Sequence, residues 1–274
     1  MRRTRQALLL KNSPLILALA QVRISPVLQM KQFVPEIQER LRKSGYPRYA
    51  ESQTQEIVLA GISEPKLNVS TSTKWVFADR ELKSAVVVAP EFVTLETGAY
   101  GTFDAFIDRM ADALRIVGEV AQVELAERLG LRYLDYVTPK PTDQMADYLS
   151  PGLLGMAGVE GLRGVRSQYV ARGQSDLGQM LVRVTRGTGA FILPPDLQPL
   201  DVALGPVPEH DDWALLDFDH FAETPRAYNV DAIVDALWDL HDLVDALFRD
   251  AATPHAFTAW GAEEVTVDGK RVGD

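Results

Sequence analysis

Along Leu15–Ile24 the chain alternates with a period of two. Ile16, Ala18, Ala20, Val22 and Ile24 fall on one side, and Leu17, Leu19, Gln21 and Arg23 on the other, which is the pattern of a strand in a sheet. The period then changes. Phe33, Ile37 and Leu41 recur at helical spacing, and Pro35, tolerated only in a first turn, predicts a helix starting near Phe33 and stopped by Ser44-Gly45-Tyr46-Pro47. Short strands are predicted at Gln55–Leu59, Lys74–Phe77, Ser84–Ala89 and Val93–Glu96, an antiparallel meander. Thr102 is placed to cap a long helix whose stripe is Phe103, Phe106, Met110, Ala113, Leu114 and Val117.

A second pass follows the same plan. Leu129, Leu131, Tyr133 and Val137 share one side of a strand, and Arg128, Arg132 and Tyr136 the other. A short helix is predicted over Asp143–Leu149, a glycine-rich loop over Pro151–Gly164, a hairpin from Val165–Ala171 to Gln179–Arg186, and a proline-punctuated connection over Pro194–Pro208. Trp213–Phe221 reads as the last central strand. Asn229 caps a final long helix with the stripe Val230, Ile233, Val234, Leu237, Val244, Leu247 and Phe248. Thr253–Trp260 suits a short helix, and Val265–Val272 a hairpin turning at Asp268-Gly269.

This order predicts an α+β fold of two helix-grip (TATA-binding-protein-like) β-α-β-meander-α units, with antiparallel sheets and long helices on one face. The expected division is a flexible basic tail at 1–13, a first unit at 14–123, a second at 124–252, and a C-terminal helix and hairpin tail at 253–274. Two such units imply an internal duplication and leave the second sheet face open to water or a partner.

Composition narrows the functions available. The 274 residues carry a formal charge of −10 and no cysteine. Thiolate catalysis, disulfides and cysteine-bound metals are excluded. A net negative chain is not drawn to phosphate backbones, so nucleic acid is an unfavoured partner. The basic and apolar start resembles an export signal, but Lys11 and Asn12 break the apolar run and no small-residue cleavage site follows. No apolar segment is long enough to span a bilayer. The expectation is a cytoplasmic protein without membrane association.

Several segments carry a resemblance: Asn12-Ser13-Pro14-Leu15 with Gln21-Val22-Arg23, Ile37-Gln38-Glu39-Arg40-Leu41-Arg42, Tyr100 with Phe103 and Phe106, Arg128-Leu129-Gly130-Leu131-Arg132-Tyr133, Leu216-Asp217-Phe218-Asp219-His220, Leu240-His241 with Phe248, and Thr253-Pro254. Together they resemble a sporadically distributed bacterial family of uncharacterised proteins defined by a sequence model. The resemblance covers about Asn12 to Trp260. It supplies no activity or catalytic residues, and its patchy occurrence implies an accessory role of defence or toxin–antitoxin type.

Candidate chemistry is sparse. All four histidines lie between His210 and His255, beside Asp211, Asp212, Asp217, Asp219 and Asp242. A site of two histidines and one carboxylate is conceivable, but alternation sets His220 on the opposite face from Asp217 and Asp219, so no metal site is assigned. Asp217 and Asp219 share a face, as carboxylates holding Mg²⁺ do; the competing reading is an ion pair with arginines of that face. No Walker loop, dinucleotide fingerprint or serine elbow is present. The final helix bears an acidic ridge of Asp231, Asp235, Asp239, Asp242 and Asp245. The expected site is the polar sheet face, with Arg23, Arg128, Arg132, Tyr136, Arg183, Asp217 and Asp219 as binding residues. It implies a protein partner or a small anionic ligand, with no cofactor and no catalytic residue. The alternative is a metal-dependent enzyme acting on phosphate esters or nucleotides.

Overall fold

The computed structural model describes residues 5–60, 66–155, 166–198, 200–208 and 212–267. The fold is α+β. One antiparallel sheet runs through β2 (Leu15–Ile24), β3 (Arg48–Ala60), β4 (Lys66–Ala78), β5 (Ser84–Ala89), β6 (Phe92–Thr97), β7 (Leu125–Val137), β8 (Ser167–Gln174), β9 (Gln179–Thr188) and β10 (Asp212–Ala222). Its spatial order is β3-β4-β5-β6-β2-β7-β10-β9-β8, with the short β11 (Arg226–Ala227) added to β7. The centre is the antiparallel pair β2–β7, with Ala20 opposite Leu131. A separate ribbon pairs β1 (Arg5–Leu10) with β12 (Ala262–Val267).

The helices α1 (Met30–Lys43), α2 (Phe103–Ala121), α3 (Val230–Ala251) and α4 (Pro254–Ala259) cover one face. Their stripes meet the even positions of β2 and the odd positions of β7 in one core that includes Ala18, Ala20, Val22, Leu129, Leu131, Phe106, Met110, Leu237 and Val244. Removal of these side chains from water is the main stabilising term. Thr102 and Asn229 accept the N–H groups of Ala105 and Ala232, satisfying first-turn donors of α2 and α3.

The differences from the sequence reading have local causes. α1 starts at Met30, not near Phe33, so Pro35 lies inside it; an i,i−3 bond from Gln32 N–H to the Gln29 carbonyl closes the entry turn. β3 and β4 pair along their whole 13-residue lengths, well past the predicted short strands, because a run of polar Ser, Thr and Gln positions carries no apolar alternation to mark it as strand. The predicted helix at Asp143–Leu149 shrinks to a 3-10 turn over Met145–Asp147. Residues 5–10, read as part of a basic tail, form β1, which pairs with β12. The predicted turn at Asp268-Gly269, and most of the predicted loop Pro151–Gly164, lie outside the described residues.

The second sheet face is not bare. The connection from β9 to β10 folds back over it, and Phe191, Leu193, Leu197, Leu200, Leu204 and Val207 pack on Leu17, Val87, Leu134, Tyr136, Trp213 and Leu215. The cause is visible along the strands. Leu17, Leu134, Trp213 and Leu215 occupy the supposedly polar side, and a sheet face with such residues gains by being covered.

Candidate functional site

Of the seven residues assigned to this face, the structure joins Arg132, Arg183 and Asp217 in one ionic cluster, sets Asp219 and Arg128 beside it, and leaves Arg23 exposed and Tyr136 packed away. Arg183 stands directly opposite Asp217 across β9–β10. Its Nε donates to Asp217 Oδ2 at 2.7 Å. Arg132 donates from Nε to Asp217 Oδ1 and from Nη2 to Oδ2, both at 2.8 Å, and from Nη1 to Asp196 Oδ2 at 2.5 Å. Arg132 and Asp217 are 7% and 2% exposed. Burial alone would lower the Arg132 pKa, but the bonds to Asp217 and Asp196 reverse this and hold it raised. Asp219 sits two residues along the same strand, where burial raises its pKa against the pull of Arg132 and Arg128.

Asp217 is therefore engaged by two guanidinium groups on both oxygens. A divalent ion there would have to displace an arginine. Among the described residues no group of three or more His, Asp or Glu side chains is placed to hold a metal. The histidines do not converge. His220 is buried on the helix face between the Leu240 carbonyl (2.9 Å) and Ser175 Oγ (3.0 Å), His255 pairs with Asp143 at 3.0 Å, and His210 lies outside the described residues.

Tyr136 was expected to face a ligand and instead is packed away. It is 5% exposed, with its ring 4.9 Å from Phe191 and 6.0 Å from Trp213. The covering segment reaches it because its neighbours on that face are apolar.

Beside the cluster the cover leaves a groove of about 410 Å³, lined by Gln21, Lys74, Thr94, Glu96, Arg128, Arg132, Asp196, Gln198 and Asp219 among others. Arg128 stacks over the Phe221 ring at 4.2 Å. Among the described residues it makes no hydrogen bond, and its ion pair with the exposed Glu223 is long, at 3.9 Å. Burial lowers its pKa against the opposing pull of Asp219 and Glu223, and Arg23 adds to the lowering. Arg23 is exposed at the rim, directly opposite Arg128 across β2–β7. Glu96 has a buried Oε2 with no hydrogen-bond partner, and burial raises its pKa to about 7. Lys74 is paired with Asp201 of the cover at 2.5 Å.

Sequence reasoning missed Asp196, Lys74, Glu96 and Asp201, because the pairing of a loop with a distant strand leaves no periodic trace. It also missed Asp135, on the helix face. There a signal existed: Asp135 continues the series Leu129, Leu131, Tyr133 that alternation assigns to the core.

The chain matches no family model, and no curated protein and no solved structure matches it significantly. Among the described residues no helix is long and apolar enough to cross a membrane.

Proposed function

We propose that this chain is a binding protein whose sheet-face groove takes a small ligand bearing a carboxylate or phosphate. The observation that carries the reading is the direct opposition of Arg23 and Arg128. Like charges so placed repel, and Arg128 is partly desolvated, with its neighbouring carboxylates Asp219 and Glu223 making no hydrogen bond to it among the described residues. An anion between the two guanidinium groups relieves the repulsion and receives forked hydrogen bonds. Glu96, on the same groove, offers an unused acceptor oxygen to a donor group elsewhere on the ligand. The volume falls within the range of about 300–1,000 Å³ usual for small-molecule sites. Cover by the β9–β10 connection favours a small ligand over a partner peptide.

The alternative of a metal-dependent phosphoesterase finds no support in an Asp217 already held by two arginines. The strand order supports reading the sheet as two helix-grip units, β2-β6-β5-β4-β3 and β7-β10-β9-β8, meeting at β2–β7; among the described residues the second unit has no counterpart of α1. We also retain membership of the sporadically distributed bacterial family as part of this proposal.

Calorimetric titration with phosphate, pyrophosphate, citrate and nucleoside monophosphates tests the function. The expected result is saturable binding of at least one of them, lost in Arg128→Gln and weakened in Arg23→Gln. Absence of binding across the set, or binding unchanged in Arg128→Gln, removes the reading.

A further inference from the structure

The helix face contains a second, unrelated cavity of about 170 Å³, between the start of α2, the middle of α3 and strands β1, β2 and β7. Its walls are aromatic. Phe103 stacks on His241 at 3.9 Å between ring centroids, and Trp238 meets Phe103 edge-on at 4.4 Å. Tyr100 meets Tyr133 edge-on at 5.6 Å, and the Tyr133 hydroxyl lies 3.1 Å from His241 Nδ1. Asp135 lines the cavity from β7. It is 5% exposed, yet among the described residues it has no hydrogen bond and no ion pair. The other charged groups on the lining are Asp104, Asp242, Asp245 and Arg249, and Arg249 is already bound to Asp245 at 2.8 Å.

An unpartnered buried carboxyl costs stability unless it stays protonated or meets a cation. Several aromatic rings line this space, and ring faces attract cations. The surplus of carboxylates repels anions. We propose that this cavity binds a small organic ammonium ion, with Asp135 as counter-ion and Tyr100, Phe103, Tyr133 and Trp238 enclosing its hydrocarbon part. The shared chemistry is the ammonium charge, whether carried by a primary amine or a methylated one. The site is independent of the groove on the opposite face.

Empty, Asp135 is held protonated to about pH 8 by burial. A cation requires the carboxylate, so binding expels one proton below that pH. Tyr100 and Tyr133, both shifted upward by burial, stay neutral throughout. Asp104, Asp242, Asp245, Arg249 and His241 are the other titratable groups that face the cavity.

Choline and n-butylammonium are the two probes, titrated by calorimetry into the full chain. Choline carries no proton of its own. Its affinity is expected to rise close to tenfold per pH unit from pH 6.5 to 7.5 and to level off above about 8.5. Near pH 7, buffers of different ionisation enthalpy should report close to one proton released. Asp135→Asn should fold, bind neither probe measurably and release no proton. Binding of choline assigns the methylated class, and binding of butylammonium alone the primary class. Saturable binding of neither at millimolar concentration overturns the proposal, as does binding without proton release or binding undiminished in Asp135→Asn. The proton count on the unsubstituted chain decides the matter even if the variant fails to fold.

Discussion

Asp135 and Asp217 lie on neighbouring strands, one residue out of register, since Leu216 opposes Asp135 and Asp217 opposes Leu134. They are buried alike, at 5% and 2% exposure, but on opposite faces of the sheet. Asp217 receives three hydrogen bonds from two arginines. Asp135 receives none from any described residue and its pKa rises to about 8. The same side chain at the same depth is thus a structural anchor on one face and an unsatisfied group on the other. Burial alone does not tell what a carboxylate does; its partners do.

The largest effect that tests this contrast is on the anchored side. Arg132→Met keeps the stem that packs on the sheet but removes two of the three bonds to Asp217. A buried carboxylate left with one cation should cost about 3–5 kcal/mol. Urea unfolding at pH 7 measures it. A loss below about 1 kcal/mol would mean that Asp217 finds water or a proton easily, and that the two carboxylates are not different in kind.

On the other face the sign reverses. The folded-state pKa of Asp135 lies above its unfolded value, so the folded form holds a proton that the unfolded form has lost. Its contribution to stability is full below about pH 4 and is lost as pH rises to about 8. Asp135→Asn should therefore gain on the unsubstituted chain by roughly 4 kcal/mol between pH 5 and pH 8, seen as diverging urea midpoints. Parallel midpoints across this range would show that the carboxyl has a partner after all.

Glu96 repeats this behaviour more weakly on the anchored face. Its pKa, raised to about 7, again gives stability that falls as pH climbs from about 4.5 to 7. Glu96→Gln should flatten that part of the curve by about 3 kcal/mol and leave the interval between pH 7 and 8 to Asp135. If Asp135→Asn alone removes all the pH dependence, the unpartnered oxygen of Glu96 is solvated and the groove is wetter than described.

How much of this was legible in the chain follows the same division. Alternation located β2, β7 and β10 and put Asp217 and Asp219 on one side and His220 on the other, because a period of two reports sidedness directly. The caps Thr102 and Asn229 were legible because a side-chain oxygen ahead of an apolar stripe has a local job. What covers a face was not legible. The connection that packs on Tyr136 and brings Asp196 to Arg132 is ordered by contacts more than 60 residues away in sequence. Leu17, Trp213 and Leu215 on the nominally polar side were the one clue that the face would be buried. Asp135 was also in view, interrupting an apolar series, and such an interruption is where a core position is given over to chemistry.

The smallest expected effect on the fold comes from Arg128, which shares a strand and a face with Arg132, four residues away. Arg132 is saturated with carboxylate; Arg128 has the Phe221 ring, a distant Glu223 and Asp219 nearby without a hydrogen bond. Loss of the ring contact should cost about 0.5–1 kcal/mol, and removal of the repulsion with Arg23 should return a few tenths. Arg128→Gln is therefore expected to unfold within about 1 kcal/mol of the unsubstituted chain, against several for Arg132→Met. The two urea curves, measured side by side, separate an arginine that holds the fold from one held by the fold. If Arg128→Gln loses as much as Arg132→Met, Arg128 belongs to the ionic framework, and the groove has lost the cation on which anion binding was argued.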